Sequence, residues 1–332
     1  MDTLDLTIVP EAIGSGIPLF AEAVPGPFVS STSPRTPTER VAWSTTSVAT
    51  DDTSIRTSDG RLPPMSTLVC FHAHPDDEAI ATGGLMVRAA ASGHRVILVC
   101  ATRGELGEPE PGVLRNGEQL WERRMVELAD AARILGAEPP RWLGYEDSGM
   151  EGEPTNDNPG CFWQADHDEA TERLAAILTE VDADTLTIYD EHGGYGHPDH
   201  IRVHTVGLAA ARAVGLDNVF ESTIDRTGMA SMMEDAEQSD RLEAGDLDVP
   251  EIDMETIGTP WDAIHYRLDV RSLVDAKKAS MVAHRSQIGP DSWFLTMTPD
   301  EFAGAFGYEC FNIPGALPNG GPVDVELLPG LE

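Results

Sequence analysis

From residue 65 onward the chain alternates apolar, strand-like runs with stretches of helical period, and this alternation restricts the fold more than any other feature. "STLVCFHA" (66–73) precedes a helix-like stretch at 78–92, and "HRVILVCAT" (94–102) follows it. Residues 116–136 form a strong amphipathic pattern that stops at Gly136, a residue suited to a helix C-cap. A short strand "RWLGY", a helix at 167–181, the strand "TLTIYD" (185–190), a helix at 198–214 and a weaker strand "VFESTI" come next. Such alternation predicts an α/β fold: a Rossmann-like, mostly parallel sheet with helices on both faces. Ligands in these sheets bind beyond the carboxyl ends of the strands. Residues 229–260 are acidic and poorly patterned and read as a surface excursion. The tail resumes with "AIHYRLDV", a helix over about 271–286, and "SWFLTMTPDEFAGAFGYECFNIPG".

Residues 1–64 differ. They are rich in Ser, Thr and Pro and lack a periodic apolar face, which predicts a poorly ordered extension before a domain at 65–332. The extension holds eight acids against four arginines, a net −4 of the chain's −35, so −31 belongs to residues 65–332. With only two lysines, Lys277 and Lys278, this surface excludes nucleic acid and anionic membranes as partners. It suits a saline cytoplasm or a GC-rich genome equally. No apolar run is long enough to span a bilayer, and the N-terminus lacks the pattern of a secretory signal. Cys70, Cys100, Cys161 and Cys310 are scattered without a C-x-x-C pair, as expected of reduced thiols in a cytoplasmic protein.

Two strand ends carry the chemistry. "FHAHPDDEAIATGG" (71–84) and "YDEHGGYGHPDH" (189–200) both contain His-Pro-Asp. His74 and Asp77 are three apart, as are His197 and His200, a spacing that puts each pair on roughly one helix face. Imidazole nitrogen and carboxylate oxygen are the usual ligands of a hydrolytic Zn²⁺, which takes three protein ligands and keeps room for water. Four candidates therefore compete for three places. Either motif alone is explained as well by capping, because Pro and acids suit a first helical turn. Two such motifs at two strand ends are much harder to explain that way. Two His and one carboxylate also suit Fe²⁺.

"AHPDDE" and "HGGYGHPDH", with "ATRGELGE", "RRMVELADAARILG", "LGYEDSGM" and "AHRSQ", resemble the PIG-L / LmbE-like family of zinc-dependent N-acetylglucosaminyl deacetylases, over about 65–315. Its members include a mycothiol-type deacetylase and a mycothiol S-conjugate amidase. The resemblance implies that His74, Asp77 and His200 bind the metal and that Asp76 is the general base. It implies that Tyr195 and His197 stabilise the oxyanion, that His197 also protonates the leaving amine, and that Asp199 orients His197. Glu108, Arg124 and Asp147 match the positions that hold the sugar. Glu78 is expected to support the helix start or to stand behind the metal ligands and base, and His284 of "AHRSQ" to border the pocket or be structural.

The expected function is zinc-dependent deacetylation of an N-acetylglucosaminyl or related small-molecule amino sugar. The alternatives are an amidase of the same family acting on a thiol conjugate, a metal-dependent phosphoester hydrolase, and a non-catalytic binding protein. A phosphoester site wants basic phosphate contacts, and lysines are absent near these motifs. A binding relic is expected to have lost Asp76 or a ligand, and all are present.

Overall fold

The structure is a computed structural model that describes residues 65–237 and 257–332. The expected extension at 1–64 and the middle of the acidic excursion lie outside the described residues. In chain order the strands and helices are β1 (Thr67–His72), α1 (Asp77–Ala81), α2 (Gly83–Ala91), β2 (Arg95–Cys100), α3 (Leu120–Ile134), β3 (Arg141–Trp142), α4 (His167–Val181) and β4 (Thr185–Tyr189). Then come α5 (Pro198–Val214), β5 (Val219–Thr223), α6 (Arg226–Glu237), β6 (Tyr266–Asp269), α7 (Val274–Ala283), α8 (Trp293–Thr296), α9 (Pro299–Phe306), β7 (Tyr308–Asn312) and β8 (Val323–Val325).

One eight-stranded sheet runs β3-β2-β1-β4-β5-β7-β6-β8. The first five strands are mutually parallel, as the alternation predicts, while β7 pairs antiparallel with both β5 and β6. The order reverses between β1 and β4, so their carboxyl ends flank the crevice where such sheets bind ligands. Both His-Pro-Asp motifs follow these two strands.

Strand β1 is buried on both faces, which explains its continuous apolar run. Val69 and Phe71 pack with Leu174, Leu178, Val203 and Val206 from α4 and α5. Leu68 and Cys70 pack with Leu85 and Met86 of α2 and Leu128 of α3 on the other face. All four cysteines are free and buried, and burial pushes the Cys70 thiol up to about 12, which keeps it from acting as a thiolate. No helix among the described residues is long and apolar enough to cross a membrane.

The expected helix at 78–92 is instead two helices, broken at Thr82. The break lets α2 present its first backbone N–H groups to Glu309 on β7, whose carboxylate accepts from Gly84 N at 2.7 Å and Leu85 N at 2.8 Å. Lys277 on α7 completes the arrangement, with Nζ 2.6 Å from Glu309 Oε1 and both side chains almost wholly buried. Removing one member strands a buried charge, at a cost of about 3–5 kcal/mol. Lys277→Met is therefore expected to lower unfolding stability by about that much, read from urea denaturation. A loss under about 1 kcal/mol would mean that Glu309 is sustained by the α2 N-terminus alone.

Candidate active site

The turn after β1 presents the first motif. Asp76 sits at φ 112° and ψ −29°, a region that residues with a Cβ rarely adopt and that costs about 1–3 kcal/mol. This conformation separates Asp76 from Asp77, so the two carboxylates meet different partners. Asp77 Oδ2 accepts from His74 N at 2.8 Å and lies 3.6 Å from His74 Nδ1 and 3.4 Å from His200 Nε2. Asp76 Oδ2 accepts from Arg124 Nη2 at 3.1 Å, while Asp76 Oδ1 is buried without a partner among the described residues.

The second motif opens α5. His197 is its N-cap, with Nδ1 accepting from Asp199 N at 3.1 Å. Its other nitrogen, Nε2, therefore carries the hydrogen of the neutral ring, and it too is buried without a partner among the described residues. His200 has the opposite tautomer. Its Nδ1 donates to Gly193 O at 3.1 Å, which turns Nε2 toward Asp77. Gly193 has φ 65°, and a Cβ there would fall 2.6 Å from that of His200, so this close approach requires glycine. His74 Nε2 points at Asp199 Oδ2 (3.2 Å) and Asp147 Oδ1 (3.5 Å), which turns Nδ1 toward Asp77.

The donor chemistry fits a cation. The Asp77 carboxylate lies 3.4–3.6 Å from two imidazole nitrogens, one of His74 and one of His200, and carboxylates fix the far side of His74. Two overlapping groups have ligand atoms mutually within 4.8 Å, namely His74, His197 and His200, and His74, Asp147, His197 and Asp199. Asp77 belongs to neither group, although it touches both His74 and His200.

Burial sets the protonation states. It pushes Asp76 up to about 7, with Arg124 opposing and Asp77 reinforcing. Burial opposes ionisation of Asp77 as well, but His200 and His74 hold its pKa well below the usual carboxylate range. The His74 imidazole is raised well above its ordinary value because Asp147, Asp199 and Asp77 outweigh its burial. Burial, reinforced by His74 and His200, keeps His197 neutral. Burial and the charges of Asp77 and Asp76 keep the Tyr195 hydroxyl protonated, 3.5 Å from His200 Nε2.

The structure thus brings His74, Asp76, Asp77, Tyr195, His197, Asp199 and His200 together. Three expected roles meet different surroundings. The Asp199 carboxylate turns to His74 and to the Ser148 hydroxyl and N–H, and only its backbone N–H touches His197. The reason is the first turn of α5, which points the Asp199 side chain across the crevice while its amide faces back to the cap. Arg124 is fully buried and donates to Asp76, Pro75 O and Gly104 O, so it lies behind Asp76. Glu108 is exposed, and its carbonyl, not its carboxylate, holds Gln287 Nε2 at 3.3 Å. Asp147 is buried beside His74 and accepts from Gly149 N at 2.9 Å.

Sequence reasoning missed Ser148 and Tyr189. Tyr189 stacks on His200 at 4.3 Å between ring centroids and meets His72 Nδ1 through its hydroxyl at 2.9 Å. Its place as the last residue of β4, beside the second motif, was the available signal.

The family described as PIG-L: GlcNAc-PI de-N-acetylase matches residues 69–211. The 1D-myo-inositol 2-acetamido-2-deoxy-alpha-D-glucopyranoside deacetylase of Salinispora arenicola (strain CNS-205) is 38% identical over 278 residues, covering 77% of this chain and 89% of that protein. The chain belongs to the PIG-L family. A second PIG-L relative, the enzyme of the same name from Thermobifida fusca (strain YX), is 39% identical over 239 residues and covers 67% of this chain and 83% of its own. Among solved structures, N,N'-diacetylchitobiose deacetylase from Pyrococcus horikoshii is similar at 22% identity and a TM-score of 0.49, over 76% of this chain and 87% of that one.

Proposed function

We propose that this PIG-L protein is a metal-dependent N-deacetylase that hydrolyses the acetamide of an N-acetylglucosaminyl compound to the free amine and acetate. The observation that carries the reading is the buried pair Asp76 Oδ1 and His197 Nε2–H, an acceptor and a donor without partners among the described residues, beside the His74–Asp77–His200 cluster. The names of the relatives make a 2-acetamido-2-deoxy-glucopyranoside joined to inositol the first substrate to try.

His74 Nδ1, Asp77 Oδ2 and His200 Nε2 would hold the cation. The tautomers support this choice from the four candidates, because a ring whose Nδ1 accepts an amide hydrogen and whose Nε2 carries one offers no lone pair. A bound Zn²⁺, or Fe²⁺, supplies Lewis acidity and makes water a nucleophile at neutral pH. Asp76 takes the proton of the attacking water on Oδ1 and passes it to the amine as the C–N bond breaks. His197 Nε2–H and the Tyr195 hydroxyl donate to the carbonyl oxygen as it becomes anionic. The low pKa of His197 argues for a neutral donor here, so the amine draws its proton from Asp76 and not from an imidazolium.

The test is release of acetate and amine from the glucosaminyl-inositol, from free N-acetylglucosamine and from a thiol-derived amide. Cleavage of the thiol-derived amide alone would replace this reading with the amidase. Only ionised Asp76 can accept a proton, so kcat/KM is expected to rise with pH through the Asp76 ionisation. That ionisation lies at about 7 in the cation-free site and lower beside a bound cation. Loss of this acid limb in Asp76→Asn, measured over pH 4–9, checks the assignment (an approximate range set by the usual carboxylate and imidazole values).

A further inference from the structure

We propose that Glu78 and His284 form a buried dyad that positions Asp76, so that the "AHRSQ" segment serves the reaction through the backbone of its base. The proposal rests on the reading of Asp76 as that base.

Glu78 Oε2 accepts from the Asp76 backbone N–H at 3.0 Å, and Glu78 Oε1 meets His284 Nε2 at 2.6 Å. Neither side chain is exposed. His284 closes α7, more than 200 positions from Glu78 in the chain. Two residues on, Ser286 binds Glu127 through its hydroxyl (2.6 Å) and its N–H (3.1 Å). Glu127 lies one turn along α3 from Arg124, which grips the Asp76 carboxylate at 3.1 Å and Pro75 O at 2.6 Å. The contacts form a closed ring through three segments, with Asp76 held by its backbone on one side and by its side chain on the other.

The strained backbone gives the ring its purpose. A residue at φ 112° relaxes unless its surroundings over-determine it. Here the bond from Glu78 fixes the amide and Arg124 fixes Oδ2, which leaves Oδ1 aimed and unpartnered. Helix capping alone explains the bond from Glu78 to the turn. It does not explain a second buried residue from a distant segment locked onto the same carboxylate.

Glu78→Ala, Glu78→Gln, His284→Ala and the Glu78→Ala/His284→Ala pair test the dyad. Gln can keep both contacts, its oxygen accepting from Asp76 N–H and its amide donating to the other His284 tautomer. Glu78→Ala is expected to lower kcat about 10–100-fold with KM within about 3-fold and metal content unchanged, because misplaced groups lose transition-state interactions. Glu78→Gln is expected to recover most of the loss. The double variant should be no worse than the poorer single, since the residues act in series. Crystal structures supply a readout that does not depend on the substrate, with φ of Asp76 leaving the positive region in Glu78→Ala and keeping it in Glu78→Gln. An unmoved Asp76 in Glu78→Ala, or losses that multiply in the double variant, overturns the dyad. A wild-type enzyme inactive on every N-acetyl amino sugar overturns the proposed function instead and leaves the crystallographic arm standing.

Discussion

Asp76→Asn is expected to keep its metal and lose turnover by ~10²–10⁴-fold, the usual loss for a general base. The amide is close in size to the carboxylate and can still accept from Arg124, so the turn is retained. What it cannot do is take a proton. His200→Ala gives a different outcome, because it removes the Nε2 that lies 3.4 Å from Asp77 Oδ2 and leaves a buried carboxylate without that partner. Metal content after dialysis, measured beside kcat for both variants, separates the roles. If Asp76→Asn sheds metal as readily as His200→Ala, Asp76 is a ligand and the base lies elsewhere.

The second large effect concerns Tyr195 and His197, the proposed oxyanion donors. Removing one is expected to cost about 10²–10³-fold in kcat with little change in KM, because the bond forms mainly in the transition state. His197→Ala deletes a donor that is buried and unpartnered before substrate arrives. It also deletes the acceptor that caps α5, which costs about 0.5–2 kcal/mol of stability. Tyr195→Phe is the cleaner comparison, since it removes one hydroxyl and almost no volume. Full activity in Tyr195→Phe together with loss of metal in His197→Ala would make His197 a ligand.

Much of the parallel half of the fold is legible in the sequence because each element there has one dominant signal. The run 67–72 is apolar on both faces, and α4 and α5 begin where an Asp cap and a His-Pro pair stand. The antiparallel half is harder. β7 and β6 follow short helices and a poorly patterned stretch, and their pairing to β5 is a tertiary choice that no local period encodes. The break at Thr82 is invisible for the same reason, since Glu309 lies 225 positions from the Gly84 amide it accepts.

The site divides in the same way. Repeated His-Pro-Asp spacing points to the cluster, and four candidates remain because spacing says nothing about tautomers. That information lies in backbone partners, Gly193 O for His200 and Asp199 N for His197. Arg124 shows the converse limit. Its neighbour Arg123 shares its chemistry in the sequence, but Arg123 pairs with Glu118 near the surface and Arg124 with the buried Asp76.

The most direct test measures metal content and acetate release on one preparation of wild-type protein, before and after chelation and after Zn²⁺ or Fe²⁺ is returned. The site described here predicts a single bound cation per chain, loss of acetate release from the N-acetylglucosaminyl substrate on chelation, and recovery in step with the returned metal. Acetate release that persists in metal-free protein would contradict the central claim that the two His-Pro-Asp motifs assemble one metal-dependent deacetylase centre.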